Sequence, residues 1–212
     1  LLYATDPTDP ASLFGGDRAL IGADDFSGYA DGPVADLAGG TGFDFDNTLV
    51  NDAFIGHTGS NSDYDVVFGA PTVSGGALIT NNSGAKREFN GPGEGVVVNG
   101  DEWSGRFNQD PGGSDAQVVY FRADMTRSAG ASWSGISAYD FGSERTFVGV
   151  VGAPNPASGN FEFSIGAPAP TSVYTGIAPV PGKTYTLVCK IDYRNDLMSL
   201  WVNPDLTGLE PP

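Results

Sequence analysis

The chain has 212 residues, with 10 Lys and Arg against 26 Asp and Glu, a formal net charge of −16. That balance excludes nucleic acid and anionic membrane surfaces as partners, since both would be repelled. One cysteine and one histidine exclude an internal disulfide framework and a structural zinc site. The length suits a single domain that buries roughly 70% of its unfolded surface without staples.

The acids are 20 Asp and 6 Glu. Asp disfavours helix and strand interiors but suits turns and oxygen-rich cation sites, or a solvated acidic surface; these readings point outside the cytoplasm. The chain begins at Leu1, which reads as a processed or partial chain. It carries no charged-then-apolar leader and no apolar run long enough to cross a membrane.

In chain order, residues 1–19, opening with "LLYATDPTDPASLFGGD", read as an irregular arm, and residues 20–212 as one domain. Residues 21–47 read as a short strand around Phe26 followed by a Gly-rich loop. "DYDVVFG", "GALITNN" and "EGVVVNG" are candidate strands. The second half alternates more clearly, and the alternation predicts strands near 117–125, 132–139, 145–151, 160–166, 184–193 and 197–203. In "TYTLVCKIDY" Cys189 shares a face with Tyr185, Leu187 and Ile191, so it reads as a small buried hydrophobe. Helical periodicity and internal repeats are both missing. The expectation is an all-β, antiparallel β-sandwich.

"WSGISAYDFGSERTFVGV" places Trp133, Gly135, Ser137 and Tyr139 on one strand face and Ile136 and Ala138 on the other. An aromatic pair flanking small polar residues can stack a sugar ring, or it can fill a core; for Trp133 burial is the favoured reading. Trp103, in "GDEWSGRF", is the better candidate for an exposed aromatic. Trp103, Trp133 and Tyr139 form the candidate ligand-binding set.

His57 lies in the loop-like "FIGHTGSNSD" with no nucleophile motif beside it, so neither a serine nor a cysteine triad is expected. The glutamates, at 88, 94, 102, 144, 162 and 210, are widely separated. Only Glu144 and Glu162 could meet across neighbouring strands as a carboxylate pair.

Taken together, "ADDFSGYADGPVADLAGGTGFDFDN", "WSGISAYDFGSERTFVGV" and "YTLVCKIDYRNDLMSLWVNPD" resemble the laminin-G-like, concanavalin A-like jelly-roll domains of bacterial secreted and surface proteins, over roughly residues 20 to 205. The resemblance implies a jelly-roll fold, an extracellular or cell-surface location, and a non-catalytic carbohydrate-binding or adhesion role toward a glycan or other surface polymer. It also implies a structural calcium, with Asp24, Asp25 and Asp192 as first-choice ligands. Asp44 with Asp46, and Asp63 with Asp65, are second choices. Glycosidase relatives carry two glutamates on one strand in an E-x-D-x-E run, and lyase relatives a basic cleft with histidine and tyrosine. This sequence has no such run, and "KREFN" and "VVYFRAD" only faintly echo the lyase strands. A hydrolase or lyase is therefore the lesser alternative. Domains of this kind also continue past the "LWVNPD" segment into a returning strand, whereas here the chain ends at "LTGLEPP". The expected result is an open sheet edge, closed by residues beyond the end or covered by another copy, which raises a second alternative: a structural subunit of an extracellular filament or coat.

Overall fold

The computed structural model describes residues 2–3, 20–40, 64–87, 97–98, 101–102, 118–130, 133–140, 143–150, 160–165, 173–192, 197–207 and 209–211. All regular structure among them is strand. In chain order these are β1 (Leu2–Tyr3), β2 (Leu20–Gly22), β3 (Gly32–Pro33), β4 (Asp65–Phe68), β5 (Thr72–Ser74), β6 (Ala77–Ile79), β7 (Gly84–Lys86) and β8 (Val97–Val98). Then come β9 (Asp101–Glu102), β10 (Val118–Thr126), β11 (Ser134–Asp140), β12 (Ser143–Val150), β13 (Glu162–Ile165), β14 (Val173–Tyr174), β15 (Thr184–Asp192) and β16 (Leu197–Val202). Every pairing is antiparallel and no sheet closes into a barrel.

Two sheets dominate. One has the strand order β16-β15-β10-β1-β2, the other β11-β12-β13-β14. The spine of the first is β10 against β15, in unbroken register from Val118 opposite Asp192 to Thr126 opposite Thr184. Alternation then sends Tyr185, Leu187, Cys189 and Ile191 inward, where they pack with Val148 and Val150 of β12 and with Phe161, the residue just before β13. Phe121, Met125, Met198, Leu200 and Val202 complete this shared core. Burial pushes the Cys189 thiol up to about 12, as expected of a small core residue. The core is centred on β12 and β13. At the two outer strands of the second sheet, Ile136 and Val173 stand in the same row as Val148 but remain exposed.

A smaller apolar cluster lies in the first half, where Val34, Tyr64 and Val73 pack with Phe26, Tyr29, Leu37, Leu78 and Ala85. It is framed by the β3-β5-β6 sheet and the β4-β7 pair. The strand expected around Phe26 is instead a turn. The Phe26 amide donates to Asp24 Oδ1 at 2.9 Å, the Ser27 amide to Asp25 Oδ1 at 2.9 Å, and Phe26 itself takes a left-handed φ of 60°. Two successive aspartates capping their own backbone outcompete a ladder here.

Leu2 and Tyr3 pair with Phe121 and Tyr120 of β10 and with β2. Past β16 the described residues, 203–207 and 209–211, form no strand. The Asn203 amide donates to Thr186 O at 2.7 Å and its Oδ1 accepts the Thr186 amide at 2.9 Å. Asn203 adopts a left-handed φ of 53°, which turns the chain onto the outward face of the first sheet. There Leu206 packs, as Trp201 does, against Tyr120 and Val188. Glu210 accepts the Tyr120 hydroxyl and the Lys190 ammonium, the latter at 2.8 Å. The described residues past β16 thus form a strap across a face, and β16 stands at an edge of its sheet among the described residues.

Candidate functional site

The outward face of the second sheet carries the aromatic platform. Cross-strand register sets Gly135, Gly149, Glu162 and Tyr174 in one row, with Phe147 opposite Ser137 in the next. The Phe147 ring lies directly over Gly135, where a Cβ would come within 2.6 Å of it. Trp133 meets that ring edge-on at 5.8 Å between centroids and an interplanar angle of 70°. Phe147 is buried, whereas Trp133 is 50% exposed, so the burial expected of this tryptophan is not what the structure shows. Gly149 is equally constrained, since a Cβ there would collide with Ser134 O. Both glycines let β11 and β12 approach closely enough for Phe147 to lie flat and prop the indole. A bulge between Ala138 and Tyr139 breaks the simple alternation along β11, pairing Tyr139 with Glu144. Of Tyr139 only the backbone is described, and Trp103 lies outside the described residues.

The second constellation is polar and centres on Asp24. Its Oδ2 accepts Tyr29 OH at 2.7 Å, Tyr64 OH at 3.1 Å and Arg87 Nη1 at 2.8 Å. The Asp24 and Arg87 side chains retain 6% and 4% exposure. The guanidinium also lies 4.7 Å from the centroid of the Tyr64 ring. Burial, followed by the neighbouring Asp24 carboxylate, pushes the Tyr29 hydroxyl up to about 12, and burial raises Tyr64 as well. Both hydroxyls therefore stay protonated and donate. Gly39 and Gly40 make room for the cluster. A Cβ on Gly39 would stand 2.8 Å from Tyr29 OH, and one on Gly40, at φ +70°, would collide with Ala23 O.

This arrangement ties Asp24, Tyr29, Tyr64 and Arg87 together. Asp24 is committed to four hydrogen bonds and stands beside a guanidinium, a poor setting for a cation. Asp25 caps Ser27 through amide and hydroxyl, and Asp192 is buried on the outward face of β15, opposite Val118 and Leu197. Among the described residues, no group of three or more His, Cys, Asp or Glu forms that could hold a metal ion. Asp44, Asp46, Asp63 and His57 lie outside the described residues, as does the side chain of Asp65.

The carboxylate pair is separated by register. Glu162 lies opposite Gly149, five positions along β12 from Glu144. At the strand rise this is about 16 Å between backbones, so the two are not cross-strand neighbours. Sequence pattern does not point to Arg87, Tyr29 or Tyr64. The available signal was Arg87 in "GAKREF", one of only 10 bases in a chain this acidic. Its partner 63 positions earlier is set by tertiary folding and leaves no local pattern.

Comparison with protein-family models, with curated proteins and with solved structures returns no match to this chain. Among the described residues no helix is long and apolar enough to cross a membrane.

Proposed function

We propose that the chain is an extracellular, non-catalytic carbohydrate-binding or adhesion module of jelly-roll type, with Trp133 as its principal contact. The observation that carries this reading is a half-exposed indole propped edge-on by a buried ring over a glycine. Aromatic faces stack on the apolar faces of sugar rings, and an indole already fixed by a neighbour loses little side-chain freedom on binding. The core shared by two antiparallel sheets is what a jelly-roll sandwich requires, and it supports that part of the proposal.

A glycan array with the unaltered chain, followed by calorimetry on the best ligand, tests the reading. Trp133→Ala is expected to weaken binding at least about tenfold. Because the side chain is half in solvent, folding stability should fall by only about 1–2 kcal/mol. An array without a single binder, or equal affinity in Trp133→Ala, overturns the proposal.

A structural calcium belongs to the same proposal. Its test is the melting temperature in millimolar calcium against chelator, where binding to the folded state alone adds about 2.7 kcal/mol at a hundredfold excess over Kd. A rise in calcium supports the ion, with ligands other than Asp24; identical melting in both overturns it.

A further inference from the structure

The outward face of the five-stranded sheet carries the strap that follows β16. Two sockets lie on it. In one, Leu206 packs, as Trp201 does, against the buried Tyr120 and Val188. In the other, the Glu210 carboxylate takes the Tyr120 hydroxyl and the Lys190 ammonium, whose Nζ also stands 5.9 Å from the centroid of the Tyr120 ring. Tyr120 and Val188 are buried although they point away from the shared core. An apolar anchor supplies burial, and a charge-assisted contact four residues later fixes register, which is how short segments are recognised. The segment reaches its seat through one turn, at left-handed Asn203 followed by Pro204. Between the sockets Leu209 is 90% exposed and adds nothing to the contact.

We infer that this face is a peptide-binding site for a Leu-x-x-x-Glu segment, filled in cis by Leu206 and Glu210, and that a second copy of this chain can supply the segment instead. The contacts are the same in both arrangements, so the balance rests on the turn, on chain concentration and on charge. Two chains of formal charge −16 repel each other. Salt screens that repulsion, while the Lys190 to Glu210 contact is present in both forms and drops out of the comparison. Exchange between copies therefore grows with concentration and with added salt. The site is on the opposite sheet from Trp133 and stands apart from the glycan reading.

The test uses the full-length Leu206→Ala/Glu210→Gln chain, weakened at both sockets, titrated with a synthetic peptide of residues 203–211 and followed by calorimetry and tryptophan fluorescence. Saturable one-to-one binding is expected, weakened about tenfold or more when the peptide carries Gln at Glu210 or the receptor also carries Lys190→Met. If the double variant does not keep its β-rich spectrum, Glu210→Gln alone serves as receptor. No saturable binding at low-millimolar peptide to the folded receptor overturns the site. Equal binding of the Glu and Gln peptides overturns the carboxylate socket. Sedimentation of the unaltered chain should show a dimer fraction that rises with concentration and with sodium chloride and is lost in the variant. A monomer at every concentration and salt level overturns the exchange.

Discussion

Arg87→Met is expected to cost about 3–5 kcal/mol in urea unfolding, because it leaves the Asp24 carboxylate buried without its counter-charge. The pair sits 2.8 Å apart with both side chains almost fully enclosed, so water cannot take the place of the guanidinium. The two tyrosine hydroxyls that remain on Asp24 Oδ2 supply hydrogen bonds but no compensating charge. Removing both charges has a different outcome. Asp24→Leu combined with Arg87→Met should recover part of the loss, since an apolar pair of similar volume carries no desolvation penalty. The contrast is the exposed pair of Arg122 with Asp124, at 3.2 Å and with Asp124 half in solvent, where Asp124→Asn should cost no more than about 1 kcal/mol. A loss under about 1 kcal/mol for Arg87→Met would mean that the pair is open to water in solution.

Phe161→Ala should cost about as much, roughly 3–5 kcal/mol, by a different mechanism. The ring is fully buried, meets Tyr185 edge-on at 5.1 Å between centroids, and joins the second sheet to the first. How far the loss climbs within that range depends on whether the surroundings can collapse into the cavity. They are held back here. The Phe161 amide donates to Ile177 O at 2.8 Å, and its carbonyl accepts both the Thr175 amide and the Thr175 hydroxyl at 2.9 Å. With the backbone pinned on both sides, the upper half of the range is expected. Circular dichroism and tryptophan fluorescence should report a single transition shifted together. Two separated transitions, or a loss under about 1 kcal/mol, would show that the sheets do not share one core.

The second half of the fold was legible because its strands alternate. The pattern from Tyr185 to Ile191 alone orients β15, and β15 orients β10 and β16 through the ladder. The boundaries expected for β10, β11, β15 and β16 lie within two residues of those observed. The first half was less legible. "ADDFSGY" reads as a strand by its central aromatic, yet side-chain capping by Asp24 and Asp25 folds it into a turn. The candidate site was legible in part. Alternation points to Trp133, but its prop depends on Phe147 lying over Gly135 across a strand pair, a relation that spacing does not reveal. The strap was hidden for the same reason, since Glu210 finds Tyr120 across 90 positions of sequence. Local pattern reports which way a side chain faces, and only the folded chain reports what it meets.

The burial of Cys189 has a practical consequence for following this chain in time. As the only thiol, shut inside the core and held protonated, it reacts with an alkylating reagent only when the sheets part. The rate of its modification is then a clock for opening, readable by mass without any label or probe. A cysteine placed at fully solvated Leu209 would react at once, so a dye can be set on the strap while the native sulfur stays silent.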